Sequence, residues 1–163
     1  MTEECCLGLA ELKKQYEKLR KKYNLPSFEA LNQDFEIEKL QERETELLLR
    51  EIRRNMIDKN LAYLRFVEMF LNPTNAPMFF LALTKTLSNG DKKTIEELYA
   101  ELGKNELKSV ARDNEYDENE EAKFIKKFFE QWQKIKEKFS GLMIGVEKAW
   151  EKKSEKAEKG YLG

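Results

Sequence analysis

The chain has 163 residues, 40% apolar and 37% charged, and its 30 Lys and Arg nearly balance its 31 Asp and Glu. This length suffices to fold as one domain without disulfides or a structural metal, and the near-neutral charge provides no global field to attract nucleic acid or an anionic membrane. Only 7 glycines and 3 prolines accompany periodic apolar stripes, which favours an all-α protein.

The sequence also bears on location. The longest uncharged stretch, Met69 to Thr84, is shorter than the roughly 20 residues of a membrane-spanning helix, and the first four residues lack the basic start of a signal peptide. We therefore expect a cytoplasmic protein without a membrane segment. The preference for Glu and Lys suggests a thermophilic source. The adjacent Cys5 and Cys6 exclude a disulfide framework and are interpreted as free thiols.

The first predicted helix runs from about Thr2 to Tyr23. Its apolar residues recur at alternating spacings of three and four, which is a heptad seam. The members of this seam are Leu9, Leu12, Tyr16, Leu19 and Tyr23. Pro26 stops the helix, and Ser27 is the predicted N-cap of a short helix through Asn32.

The longest predicted helix runs from Phe35 to Leu71, because that segment contains no Gly or Pro, and Asp34 is its predicted N-cap. Charged residues surround its apolar stripe before Met56, whereas the stripe widens from Leu61 onward. We expect the first half to form a protruding, antiparallel, coiled-coil-like pair with the first helix. The second half is expected to lie in the core beside the last helix.

The segment after the long helix predicts a turn and a short helix. Pro73 ends the long helix, Pro77 suits the first turn of the next, and Thr74 or Asn75 is available as a cap. The uninterrupted apolar run Met78 to Leu83 predicts a short buried helix.

A fifth helix is predicted next. Gly90 suits a left-handed position at the end of the preceding helix, and Asp91 suits the N-cap of the fifth. Its apolar residues begin at Ile95, and the pattern weakens at Gly103 before it resumes.

The last predicted helix follows Asp117, which forms a capping signature with Glu120. Its apolar residues occupy heptad a and d positions without a miss. They are Ile125, Phe128, Trp132, Ile135, Phe139, Leu142, Val146 and Ala149. Gly141 and Gly145 predict close packing or a kink near Gly141, since glycine is unfavourable inside a helix.

These elements predict the domain organisation. We expect one all-α bundle of five to six helices over residues 1–151. The apolar pattern ends at Trp150, so residues 152–163 are predicted to be a flexible charged tail.

Histidine is absent, which removes Ser-His-Asp and Cys-His nucleophiles and the His-containing metal motifs. We therefore expect a protein that is not an enzyme, with no catalytic residue and no cofactor. A carboxylate-only cation site remains as an alternative. The best candidate begins at Asp113, but as a calcium loop it has Glu118 at its sixth position and Phe124 at its twelfth. The loop is interpreted as a solvated helix connection.

Basic side chains cluster on the first helix and on the start of the long helix. They are predicted to contact an anion or a partner, because Arg and Lys bind carboxylate and phosphate groups. The cluster comprises Arg43, Arg50, Arg53, Arg54, Lys14, Lys18 and Lys21. The competing interpretation is a self-satisfied face in which Glu46 pairs with Arg50 and Asp58 with Arg54.

The leading functional hypothesis is a protein-interaction or scaffold module that binds a protein partner or itself as a homodimer. The predicted association seam comprises Leu9, Leu12, Tyr16, Leu19, Trp132, Phe139 and Trp150. The alternative is a nucleic-acid-associated factor that uses the two basic strips.

Overall fold

A computed structural model describes residues 3–42 and 45–161, and within them it confirms an all-α bundle without strands. Six α-helices and two short 3-10 helices are present in those ranges. The α-helices are α1 (Glu3–Tyr23), α2 (Phe28–Phe35), α3 (Leu48–Leu71), α4 (Met78–Thr84), α5 (Asn89–Arg112) and α6 (Glu118–Tyr161). The 3-10 helices are Ile37–Glu42 and Pro73–Asn75.

The packing divides the chain into two compact units. The first unit contains the described residues of 1–60 and 105–132, and the second contains those of 61–104 and 133–161. The expected single domain over residues 1–151 stays a prediction.

The predicted start of the fold is confirmed. The first helix ends at Tyr23, and Asn24 takes a left-handed conformation with φ of 53°, which lets the amide of Leu25 donate to the carbonyl of Arg20 at 3.2 Å. Ser27 is the N-cap of α2, and its hydroxyl accepts from the amide of Ala30 at 3.1 Å.

The prediction of one helix from Phe35 to Leu71 is wrong. α2 continues through Asp34, which is therefore not an N-cap, and it ends at Glu36, a left-handed residue with φ of 52°. A 3-10 helix follows, and α3 begins only at Leu48. The element that packs against α1 before Met56 is thus this 3-10 helix and not the first half of a long α-helix.

Aromatic side chains fill the core of the first unit. Trp132 and Phe128 stack with an interplanar angle of 14°, and Phe35 contacts both rings. Tyr16 is fully buried beside Phe28, and its hydroxyl donates to the carbonyl of Pro26 at 2.7 Å. Burial of this phenol raises its pKa far above the usual value.

The second unit contains the predicted contact between the end of α3 and α6. The ring of Phe139 lies 4.4 Å from Tyr63 and 5.5 Å from Phe66, centre to centre. Phe80 of α4 packs edge-on against Phe66 and Phe70. This confirms that the widened apolar part of α3 packs with the last helix.

Serine, not aspartate, caps α5. The Ser88 hydroxyl accepts from the amide of Asp91, and the Asp91 carboxylate accepts from the amide of Ser88, which is a reciprocal capping box. Gly90 lies within the helix and has no left-handed conformation, so the predicted roles of Gly90 and Asp91 are wrong. The helix also continues through Gly103 without a break.

Asp117 caps α6 as predicted, since its carboxylate accepts from the amide of Glu120 at 2.8 Å. The helix continues through Tyr161, so residues 152–161 of the expected tail are helical. Close packing occurs at Gly145, where an added Cβ would lie 3.3 Å from Asp91 Oδ1. An added Cβ at Gly141 would contact nothing within 4 Å, so close packing there is not found.

Candidate functional site

Arg53, one of the predicted anion-binding residues, is fully buried inside the first unit. Its Nε donates to Glu121 Oε2 at 2.7 Å, and its Nη2 donates to Asp113 Oδ1 at 2.7 Å. Its Nη1 donates to the carbonyl and hydroxyl oxygens of Ser109. We call these four residues, Arg53, Ser109, Asp113 and Glu121, the Arg53 network.

Attraction between the Arg53 guanidinium and two carboxylates stabilises the Arg53 network. Burial acts to lower the pKa of Arg53, but hydrogen bonds to Glu121 and Asp113 outweigh burial and raise that pKa. The hydrogen bond from Arg53 lowers the pKa of Asp113. Arg53 is therefore permanently charged and paired inside the chain. The prediction that it contacts an external anion is wrong, because the guanidinium has no exposed surface.

The network also explains the acidic connection between α5 and α6. Asp113 and Glu121 bind Arg53, and Asp117 caps α6, so three carboxylates of this connection already have other roles. Among the described residues, no group of three or more Cys, Asp or Glu side chains is placed to hold a metal ion. The sequence singled out the arginines and this connection separately, and the structure brings them together.

The other predicted arginines have mixed environments. Arg54 pairs with Glu51 at 3.2 Å and lies 3.8 Å from Asp113, rather than forming the predicted pair with Asp58. The Arg50 guanidinium lies 5.0 Å from the centre of the Tyr116 ring. Arg43 lies outside the described residues.

The predicted lysines of α1 lie on the surface. Lys14 pairs with Glu11 at 3.7 Å, whereas Lys18 and Lys21 are exposed. Their neighbours Lys22 and Tyr23 both donate to Glu118, which lowers the pKa of that carboxyl group and ties the end of α1 to the start of α6. The side chains of Cys5 and Cys6 lie outside the described part of the chain.

Much of the predicted association seam is closed inside the chain. Leu12, Tyr16 and Trp132 are buried in the first unit, so they are not available to a partner and that part of the prediction is wrong. Four members are half-buried in their units: Leu9, Leu19, Phe139 and Trp150.

An apolar surface that the sequence did not predict lies in the second unit. Met78 and Phe79 of α4 are 79% and 53% exposed, although this run was predicted to be buried, and among the large apolar residues of α4 only Leu83 is buried. Phe79 is held edge-on by Phe80 and Trp150. The sequence does carry a signal for this exposure: the apolar run of this seven-residue helix is unbroken, and one short helix cannot bury all its faces.

A groove of about 540 Å³ lies in the same unit. It is lined by the exposed Leu71 and Tyr99 and by Met69. The charged pair Arg65 and Glu68, both exposed, also lines it. We use the name α4 surface for the residues of this groove and the exposed Met78 and Phe79, all of which belong to the second unit.

Comparison with protein-family models, curated proteins and solved structures found no match to this chain. No helix among the described residues is long and apolar enough to span a membrane.

Proposed function

We propose that this chain is a non-enzymatic helical interaction module that self-associates through the α4 surface. The exposure of Met78 and Phe79 is the observation that carries the proposal. Large apolar side chains grouped on a surface lose unfavourable hydration when a partner covers them. Methionine adapts its shape to a partner, and Phe79 is already positioned by two aromatic neighbours, so little ordering is needed on binding.

A second copy of the chain fits the charges of this surface. Arg65 and Glu68 lie one helical turn apart on α3 and contribute one positive and one negative charge to the groove. In a two-fold dimer each surface faces itself, so Arg65 of one copy can meet Glu68 of the other. The asparagines at positions 72 and 75 supply the polar rim that such interfaces have.

Sedimentation equilibrium over a range of protein concentrations tests the proposal. We expect a concentration-dependent dimer for the wild type and a dissociation constant at least about tenfold higher for Met78→Glu, because a charge is then buried against apolar groups. Leu107→Glu is the matched control, since Leu107 is 73% exposed in the other unit. A wild type that stays monomeric at every concentration, or equal weakening by both variants, would overturn the proposal.

Exchanging the charges of Arg65 and Glu68 tests whether the interface is self-complementary, as self-association requires. We expect Arg65→Glu and Glu68→Arg each to weaken the dimer and the double variant to restore it, since the double variant regenerates the complementary pair. A double variant that is weaker than either single variant would contradict a self-complementary interface.

A further inference from the structure

A second groove, in the first unit, is lined mainly by positive charge. It lies between the end of α5 and the start of α6 and has a volume of about 290 Å³. Four basic side chains line it: Lys108, Arg112, Lys123 and Lys127. Among the described residues, Glu120 is the one carboxylate that lines it, so basic side chains outnumber acidic ones four to one there, in a chain whose net charge is -1.

The spacing of these cations is unfavourable for the isolated helices. Lys108 and Arg112 are four residues apart on α5, and Lys123 and Lys127 are four residues apart on α6. Like charges at this spacing repel each other. Two such pairs flank one groove, and an anion bound between them would offset part of that repulsion.

The bottom of the groove is apolar and aromatic. Phe124 and Phe128 line it and are stacked with an interplanar angle of 20°. The Arg112 guanidinium lies 5.6 Å from the centre of the Phe124 ring, which holds its planar donors at the groove. The buried Asn105 adds a polar side chain to the lining.

A carboxylate of the chain already pairs with two of these cations. Glu120 lies 3.4 Å from Arg112 and 2.7 Å from Lys123, so these two cations from different helices converge on a single anionic group. The same donors can hold an external anion once the Glu120 side chain moves aside.

We propose that this groove binds a small anion carrying one or two phosphate groups. A guanidinium beside several ammonium groups is the donor set that phosphate oxygens prefer, because charge-assisted hydrogen bonds are the strongest ones. The volume suits a small ligand. The four cations of this site line one small groove, whereas a nucleic-acid strand would need a longer positive track.

Calorimetric titration of the full chain with pyrophosphate at low salt tests this site. We expect the wild type to bind pyrophosphate saturably. The double variant Arg112→Glu/Lys127→Glu should bind it with an affinity at least about tenfold lower than the wild type, since charge-assisted hydrogen bonds are lost. Lys18→Glu with Lys21→Glu is the matched control, because it changes the net charge equally at two exposed residues of α1.

The Glu120→Gln variant distinguishes a specific effect at the site from misfolding. It removes the competing carboxylate, so we expect tighter binding of pyrophosphate than in the wild type, a gain that misfolding cannot produce. Absence of saturable binding by the wild type, or equal losses in the groove and control variants, would overturn the site. Tighter binding of a single-stranded oligonucleotide than of pyrophosphate, sensitive to the same residues, would overturn the small-ligand assignment.

Discussion

Arg53 and Arg54 are neighbours in sequence with opposite environments. The first is fully buried and bonded to two carboxylates, whereas the second has a side chain that is 49% exposed. A buried charge depends on its partners because water cannot replace them, and a surface ion pair contributes little. The two residues therefore form a natural pair for measuring what the Arg53 network contributes to stability.

We expect Arg53→Met to lower the free energy of unfolding by about 3–5 kcal/mol, because Glu121 then remains buried without a counter-ion. Arg54→Met should cost less than about 1 kcal/mol. Urea denaturation at neutral pH measures both. Similar losses for the two variants would show that the network is not a buried ion pair. Adding Glu121→Met to Arg53→Met should recover part of the loss, since the orphaned carboxylate is removed.

Protonation of Asp113 makes the stability that the Arg53 network provides depend on pH. Its folded-state pKa lies below the ordinary value of about 3.9, so its ionised form favours folding above that value, and this stabilisation is lost as the pH falls through the folded-state pKa. We expect the stability gap between the wild type and Asp113→Asn to be constant between about pH 7 and pH 5 and to narrow below about pH 4. The gap should be small, because the carboxylate is 46% exposed.

Urea denaturation of both proteins across this pH range provides the measurement. A gap that widens on acidification would mean that the Asp113 carboxylate does not stabilise the fold in its ionised form.

The sequence singled out the arginine of the network but not its partners. The clustering of Arg50, Arg53 and Arg54 was visible, and local spacing suggested partners four residues away for Arg50 and Arg54. The partner of Arg53, Glu121, lies 68 residues farther along the chain. Local spacing carries no information about such a contact, because it depends on how helices from distant parts of the chain pack.

At the scale of the elements, the starts of α2 and α6 were more predictable than the break at Glu36. Ser27 and Asp117 cap their helices through a side-chain oxygen, which is a local property of the sequence. Glu36 is left-handed without being Gly or Asn, so its sequence gives no warning. Contacts made by distant parts of the chain compensate for this strain: Asn55 of α3 donates to the carbonyl of Phe35, and Ile37 is buried.

Gly141 and Gly145 of α6 allow a matched comparison of two substitutions. Gly141→Ala should raise the free energy of unfolding by about 1 kcal/mol, because its Cβ meets open space and glycine is a poor helix former. Gly145→Ala should gain less or lose stability, since its Cβ would press on the Asp91 carboxylate that forms the α5 capping box. Thermal and urea denaturation compare the two. A larger gain at Gly145 than at Gly141 would contradict this packing.

At the scale of the whole molecule, the apolar periodicity predicted the core better than it predicted the free surface. Leu12, Tyr16 and Trp132 lie on seams that the sequence showed clearly, and they are buried within the chain. The exposed Met78 and Phe79 lie in a run with no periodicity to separate a buried face from an exposed one. The missing information is which neighbours cover each face, and that is decided by helices far away in sequence.

The distances that the Arg53 network bridges along the chain also affect how the protein folds. Its hydrogen bonds join residues 56 to 68 positions apart, so they require closure of long chain loops, whereas the helices that carry them form from local contacts. Interactions completed after the rate-limiting step mainly set how slowly a protein unfolds. We therefore expect loss of the buried guanidinium to speed the unfolding of the first unit more than it slows its folding.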